Sequence, residues 1–125
     1  MKILVIDDEQ FICELLDEFL TLKGHEVRVG GDGETAVRLY REERPDMVLL
    51  DIRMAGMSGI EALQQIRQID QRAGIVMLSA FGDEETVDEA LASGADYYIQ
   101  KPMVLDNLLK IIGNWQSRIE DGVGT

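Results

Sequence analysis

The chain has 125 residues, a length that suits one domain built around one hydrophobic core. Its 24 acidic and 12 basic side chains give a net charge of −12, which argues against nucleic-acid binding and favours divalent cations and basic partner surfaces. No apolar run approaches the roughly 20 residues that span a bilayer, and the N-terminal segment does not resemble a signal peptide. We therefore expect a cytoplasmic protein that does not bind membranes.

The first part of the chain predicts two strands and two helices. Ile3–Ile6 is an apolar run that stops at two acids, and apolar residues then repeat at helical spacing over Phe11–Leu22. A short alternating strand follows at Glu26–Val29. The second helix carries the apolar positions of Ala36–Tyr40, and it should end before Pro45 because the residue before a proline disfavours helical backbone.

The middle of the chain predicts a helix between two further strands. Met47–Asp51 is an apolar run that ends in an acid. A glycine-containing loop at residues 56–59 leads into a helix with apolar positions over Ile60–Ile69. The fourth strand, Gly74–Leu78, ends at Ser79.

The last part of the chain predicts a fifth strand flanked by two helices. Asp83 can cap a fourth helix, which contains the apolar positions of Val87–Leu91. Tyr97–Gln100 follows as a strand, and the fifth helix covers about Val104–Ile119.

These elements form five successive β-α units, which predict a single α/β domain with a parallel sheet covered by helices on both faces. Right-handed crossovers leave few topologies, and the doubly wound, flavodoxin-like strand order 2-1-3-4-5 is the one that we expect. We assign residues 1–119 to this domain and residues 120–125 to a frayed C-terminal tail.

Charged side chains follow three of the predicted strands. Asp7 and Asp8 end the first strand, Asp51 ends the third, and Lys101 follows the fifth. The carboxyl ends of parallel strands meet at one edge of a sheet, where such folds bind ligands. Each residue alone has a structural explanation, such as a helix cap for the acids or a solvated charge for the lysine. Together they predict a Mg²⁺ site beside a reactive acid, because crowded carboxylates raise each other's pKa unless a cation neutralises them.

A larger set of residues has a recognisable spacing. Its members are Asp7-Asp8, Asp51, Ser79-Ala80, Tyr98 and Lys101-Pro102. From Lys2 to about Trp115 the chain resembles the receiver domain of two-component response regulators, a CheY-like superfamily. Ala55 departs from the family pattern, because a proline is usual at that position.

The resemblance implies a phosphorylation-activated switch. Asp51 would accept a phosphoryl group from a sensor histidine kinase or a phosphotransfer protein. Asp8, Asp51 and the backbone carbonyl of Arg53 would bind Mg²⁺ directly, and Asp7 would do so through a water. Lys101 would neutralise the phosphoryl charge and would precede a cis peptide bond to Pro102. The protein would catalyse no reaction other than its own phosphorylation and dephosphorylation.

The resemblance also implies how the signal is passed on. Ser79 would bind the phosphoryl oxygen, and Tyr98 would fill the space that Ser79 leaves. The helix 4–strand 5–helix 5 face would then bind an output domain or a second copy of the chain. Arg53 and Phe81 would flank the path of the attacking water and slow hydrolysis.

Two other functions stay open from the sequence. A Mg²⁺-dependent phosphatase of the haloacid dehalogenase type also uses a strand-end aspartate, but it expects an acid two residues later, where this chain has Arg53. A receiver-like scaffold that is never phosphorylated would generally lack one of the site residues, and this chain has them all.

Overall fold

A computed structural model describes residues 1–80 and 83–120. Five parallel strands form one sheet in the order β2-β1-β3-β4-β5, which confirms the predicted topology. The strands are β1 (Lys2–Ile6), β2 (Glu26–Gly30), β3 (Met47–Asp51), β4 (Gly74–Ser79) and β5 (Tyr97–Gln100). The helices are α1 (Gln10–Leu22), α2 (Gly33–Glu43), α3 (Gly59–Ile69), α4 (Glu84–Ala92) and α5 (Leu105–Glu120).

The central strands are apolar throughout because both faces of the sheet are covered. Alternate side chains of β1 point to opposite faces. Ile3 and Val5 pack with α1 and α5, whereas Leu4 and Ile6 pack with α2, α3 and α4. Every residue of β3 and β4 is buried, so these two strands hold the middle of the core.

The predicted elements differ from the structure mainly at their ends. β2 extends to Gly30, and α5 begins at Leu105 and continues to Glu120. Residues 121–125 of the predicted tail lie outside the described residues. Across residues 1–80 and 83–120, no helix has both the length and the hydropathy to cross a bilayer.

The prediction that Asp83 caps α4 with its side chain is wrong. Asp83 occupies the position before α4, but in the described structure its carboxylate makes no capping hydrogen bond to the helix. The carboxylate turns back instead to accept a hydrogen bond from the backbone N–H of Ala80, at 2.9 Å. This acid therefore serves the loop before α4 and not the helix itself.

A glycine lets the loop after β3 close tightly against the strand end. Gly59 is the first residue of α3, and its N–H donates to the carbonyl of Ile52 at 2.9 Å. A Cβ at this position would overlap the carbonyl oxygen of Asp51. The start of α3 and the last residue of β3 are thus in direct backbone contact, which fixes the backbone of Asp51.

Two of the glycines in helices, Gly59 and Gly113, should respond oppositely to alanine. Gly59→Ala should lower the free energy of unfolding by about 1–3 kcal/mol, because the added methyl group has no space. Gly113→Ala should raise it by about 0.5–1 kcal/mol, since a Cβ there meets no atom within 4 Å and alanine favours helix. Urea unfolding followed by circular dichroism measures both changes. Equal effects of the two substitutions would contradict the close contact at Gly59.

Candidate functional site

Three carboxylates meet at the carboxyl edge of the sheet. Asp7 follows β1 and is 1% exposed, Asp51 ends β3 and is 6% exposed, and Asp8 is open to solvent. One carboxylate oxygen from each residue lies within 4.8 Å of the other two. The structure therefore brings together the three acids that the sequence analysis assigned to one site.

Lys101 lies among these acids. It follows β5, and its Nζ is 2.7 Å from Asp7 Oδ2 and 3.4 Å from Asp51 Oδ2. Burial favours the neutral amine, yet the pKa of Lys101 is raised, because the contact with Asp7 and the charge of Asp51 outweigh burial. The ammonium is therefore held in its charged form. The bond from Lys101 to Pro102 is cis, as the resemblance implied.

Asp51 has a strongly perturbed acidity. Burial and the charge of Asp7 raise its pKa to about 7, although Lys101 and the N–H of Arg53 act in the opposite direction. That N–H lies 3.4 Å from Asp51 Oδ1, so the hydrogen bond is long. The ammonium of Lys101 thus neutralises the acid cluster incompletely.

A hard divalent cation fits this cluster. Asp7 Oδ1 accepts a hydrogen bond from the N–H of Glu9 at 2.9 Å. Asp7 Oδ2 is buried and, within the described part of the chain, makes no hydrogen bond of acceptable geometry despite its ionic contact with Lys101. A buried carboxylate oxygen with spare acceptor capacity, beside two further carboxylates, is the kind of ligand set that Mg²⁺ prefers.

Ser79 and Tyr98 lie on the side of the site that faces α4. Ser79 ends β4 and is buried, and its hydroxyl donates to the carbonyl of Ile99 at 3.5 Å, which is too long to hold it firmly. The side chain of Tyr98 on β5 is half exposed. A cavity of about 310 Å³ opens between the two residues, with Val87 and Leu91 of α4 on its far wall.

The side chain of Arg53 leaves the acid cluster. It is 71% exposed, and its Nη2 lies 2.5 Å from Oδ1 of Asp83, whose side chain is 2% exposed. Sequence reasoning missed this ion pair, because the two residues are far apart in the chain and Asp83 had a sufficient local explanation as a cap. It also missed Glu9, whose carboxylate lies 3.9 Å from Lys101. Phe81, the second residue expected near the water path, lies outside the described residues.

Comparison with known proteins identifies this arrangement. Residues 3–113 match the family model described as response regulator receiver domain. The chain belongs to this family. A crystal structure of a receiver domain protein from Clostridium thermocellum is 30% identical and has a TM-score of 0.90, over 95% of this chain and 96% of the other.

Two relatives are matched over different shares of their own length. The chain is 40% identical to the chemotaxis protein CheY of Bacillus subtilis over 112 residues, which are 89% of this chain and 93% of CheY. It is 39% identical to the regulatory protein AtoC of Escherichia coli over 111 residues, which are 89% of this chain but 24% of AtoC. The chain thus spans about a quarter of AtoC.

Membership of the family establishes the general role. Receiver domains are phosphorylation-dependent signalling switches of two-component systems, which interact with histidine kinases or phosphotransfer proteins. They generally bind Mg²⁺ at an acidic pocket, and the structure of this chain has a cluster of three acids, Asp7, Asp8 and Asp51.

The raised pKa of Asp51 predicts how stability depends on pH in metal-free buffer. The folded protein binds this proton up to a pKa of about 7, whereas the unfolded chain releases it near 4, so stability should fall as pH rises from about 4 to 7. Asp51→Asn removes this charge. The variant should have a higher free energy of unfolding than wild type, and this difference should be about 1–3 kcal/mol larger at pH 8 than at pH 5.

Urea unfolding at both pH values in the presence of EDTA measures this difference. Asp88→Asn is the matched control, because Asp88 is an exposed acid on α4. Its effect on stability should change little between the two pH values. An advantage of Asp51→Asn that is the same at pH 5 and pH 8 would show that the Asp51 carboxyl is not destabilised in the folded state.

Proposed function

We propose that this chain is a receiver in which Asp51 takes a phosphoryl group from a phosphohistidine of a sensor histidine kinase or a phosphotransfer protein. The observation that carries the proposal is the placement of Asp51. It is a buried carboxylate at the end of a central strand, packed between a second buried acid and the ammonium of Lys101. Such a group is poorly explained by fold stability, since ionised acids in contact are destabilising.

The transfer needs an ionised nucleophile and an environment that accepts negative charge. An Asp51 oxygen attacks phosphorus, the bond from phosphorus to the imidazole nitrogen breaks, and its electron pair stays on that nitrogen. The ammonium of Lys101 attracts the phosphoryl oxygens. The hydroxyl of Ser79 donates a hydrogen bond to one of these oxygens. It is able to do so because its hydrogen bond to the carbonyl of Ile99 is long.

The acid cluster is the proposed Mg²⁺ site. Asp8, Asp51 and the backbone carbonyl of Arg53 would hold Mg²⁺ directly, and Asp7 would hold it through a bound water. Mg²⁺ would supply positive charge to the phosphoryl oxygens during transfer. Asp7 also keeps Lys101 in place, through the 2.7 Å contact between its Oδ2 and the lysine Nζ.

The output surface is proposed to be α4, β5 and α5. An aspartyl phosphate adds a charge of roughly −1.5 to −2 and new acceptor oxygens, which attract the hydroxyl of Ser79. Movement of Ser79 enlarges the neighbouring cavity of about 310 Å³, which Tyr98 can enter from its half-exposed position. The rearranged face would bind an output domain or a second copy of the chain.

The phosphoryl group should be long-lived. Arg53 and Phe81 lie two residues after Asp51 and Ser79, and by the family pattern these positions flank the approach of water. Neither an arginine nor a phenylalanine can orient a water as a base would, and both are bulky. We therefore propose slow hydrolysis and a sustained output.

Incubation with acetyl phosphate and Mg²⁺ should add one phosphoryl group to the wild-type chain and none to Asp51→Asn. The physical reason is that the amide cannot act as the nucleophile. Intact-mass analysis in acid measures the addition, and treatment with base should remove it because an acyl phosphate is base-labile. Undiminished labelling of Asp51→Asn would reject Asp51 as the acceptor, and steady turnover of small phosphate esters would favour the phosphatase.

Mg²⁺ should stabilise the folded protein, since the unfolded chain does not present the three carboxylates together. At 100 times the dissociation constant the gain is about 2.7 kcal/mol. Asp8→Asn should abolish this gain, and a thermal melt with and without Mg²⁺ measures it. Asp88→Asn should keep the wild-type gain. A normal Mg²⁺ effect in Asp8→Asn would rule out Asp8 as a ligand.

A further inference from the structure

Asp83 is a buried carboxylate whose partners belong to other segments. Oδ1 lies 2.5 Å from Arg53 Nη2, and Oδ2 accepts from the N–H of Ala80 at 2.9 Å. A helix cap would satisfy N–H groups of α4, which this carboxylate does not do in the described structure. Its contacts instead join the loop after β3 to the loop after β4.

Both partners of Asp83 border the phosphorylation site. Arg53 is two residues from Asp51, and its own N–H lies 3.4 Å from Asp51 Oδ1. Ala80 follows Ser79, and Asp51 pairs in the sheet with Leu78, the residue before Ser79. A phosphoryl group on Asp51 would therefore form within the same region that supplies the two donors to Asp83.

Arg53 has room to change partners. Its side chain is 71% exposed, so the surrounding protein does not lock it in one rotamer. It also lines an open groove of about 640 Å³ to which Asp8 of the acid cluster contributes. The guanidinium can thus reach solvent or the acid cluster without any rearrangement of the core.

We propose that Asp83 binds the guanidinium of Arg53 in the resting protein and loses it to the phosphoryl group when Asp51 is phosphorylated. Asp83 is thus an internal competitor for Arg53. This inference rests on the proposed function. A phosphoryl group carries roughly −1.5 to −2 charges and three acceptor oxygens, against one charge on Asp83, so it is the stronger partner for a guanidinium. The movement of Ser79 would also shift Ala80 and weaken the second hydrogen bond.

Loss of the ion pair between Asp83 and Arg53 would affect the position of α4. A buried carboxylate without a cation is unstable, so Asp83 should turn toward solvent. Its backbone is part of the helix start, because its carbonyl accepts from the N–H of Val87 at 2.8 Å. Within α4, the buried side chains are those of Val87 and Ala90. Displacement of Asp83 would therefore move the first turn of a lightly anchored helix, which is part of the proposed output surface.

The test compares Asp83→Asn with wild type in phosphorylation by acetyl phosphate and Mg²⁺. In this reaction an Asp51 oxygen attacks phosphorus, the bond from phosphorus to the acetate oxygen breaks, and acetate leaves with the electron pair. Asp83→Asn keeps an acceptor for Ala80 but releases Arg53, so the rate should rise by about 3- to 10-fold, which corresponds to the strength of one ion pair of this kind. Glu85→Gln, which removes an exposed charge from α4, should leave the rate within about 2-fold of wild type.

A second background separates competition for Arg53 from simple charge repulsion. In the Arg53→Gln variant, Asp83 has no guanidinium to bind. Adding Asp83→Asn to this variant should therefore change the phosphorylation rate by less than about 2-fold. An equal gain in both backgrounds would overturn the proposal, because the effect would then come from the charge of Asp83 alone. A rate in Asp83→Asn that matches Glu85→Gln would overturn it as well.

Amide hydrogen exchange gives an independent readout. In wild type, phosphorylation should lower protection over residues 84–87, and Asp83→Asn should show part of this loss before phosphorylation. A purely structural Asp83 would change stability without changing the rate of labelling. If the wild-type chain is labelled and Asp51→Asn is not, the proposed function stands whatever the behaviour of Asp83. If wild type takes no phosphoryl group, both proposals fail.

Discussion

The site depends on the balance of charge among groups that the sheet buries together. Lys101 contacts Asp7 and Asp51 at the edge where β1, β3 and β5 end, and Asp8 lies close by. One ammonium cannot neutralise three carboxylates, so the cluster keeps an excess of negative charge. That excess of negative charge destabilises the folded protein and favours the binding of a cation at the cluster. Burial of the carboxyl, together with the charge of Asp7, raises the pKa of Asp51 to about 7.

The fold supplies this balance through its geometry. In a parallel sheet all strands deliver their carboxyl ends to one edge, and helices on both faces bury the strands almost up to that edge. The close approach of Gly59 to Asp51 fixes the backbone of the acid, and the hydrogen bonds to its carboxylate are long, at 3.4 Å from the N–H of Arg53 and from Lys101 Nζ. The residues at the strand ends therefore both complete the packing of the core and form the proposed phosphorylation site.

Two buried acids, Asp51 and Asp83, lie near this edge of the sheet, and each has its own cationic partner. Asp51 has Lys101, whereas Asp83 has Arg53. A modification that adds negative charge at the first position draws donors away from the second. Under the proposal, the switch would be an exchange of partners between two acids, and Asp83 would move at the start of α4 because a buried carboxylate needs a partner. The proposed Ser79 and Tyr98 movements act on a cavity that Asp83 also lines.

Much of the fold and of the site could be predicted from the sequence because the signals are local and periodic. Apolar runs that end in acids or lysine predicted β1, β3 and β5 and the meeting of Asp7, Asp51 and Lys101, whereas an alternating run and an apolar run before Ser79 predicted β2 and β4. The strand order followed from the right-handed crossovers of successive β-α units. The spacing of these residues also indicated the family. Such patterns can be interpreted without any knowledge of contacts, since the strand period and the direction of a parallel sheet determine where each side chain lies.

The tertiary structure alone decided the partners between loops. The sequence placed Asp83 before a helix, which predicted that its side chain caps that helix. In the folded chain Arg53 instead lies close enough to form an ion pair with the Asp83 carboxylate. It also decided that Tyr98 is half exposed and that Arg53 turns away from the acid cluster. Contacts of this kind depend on the relative placement of two loops, which no periodic pattern encodes, because each loop follows the packing of the helices that it joins.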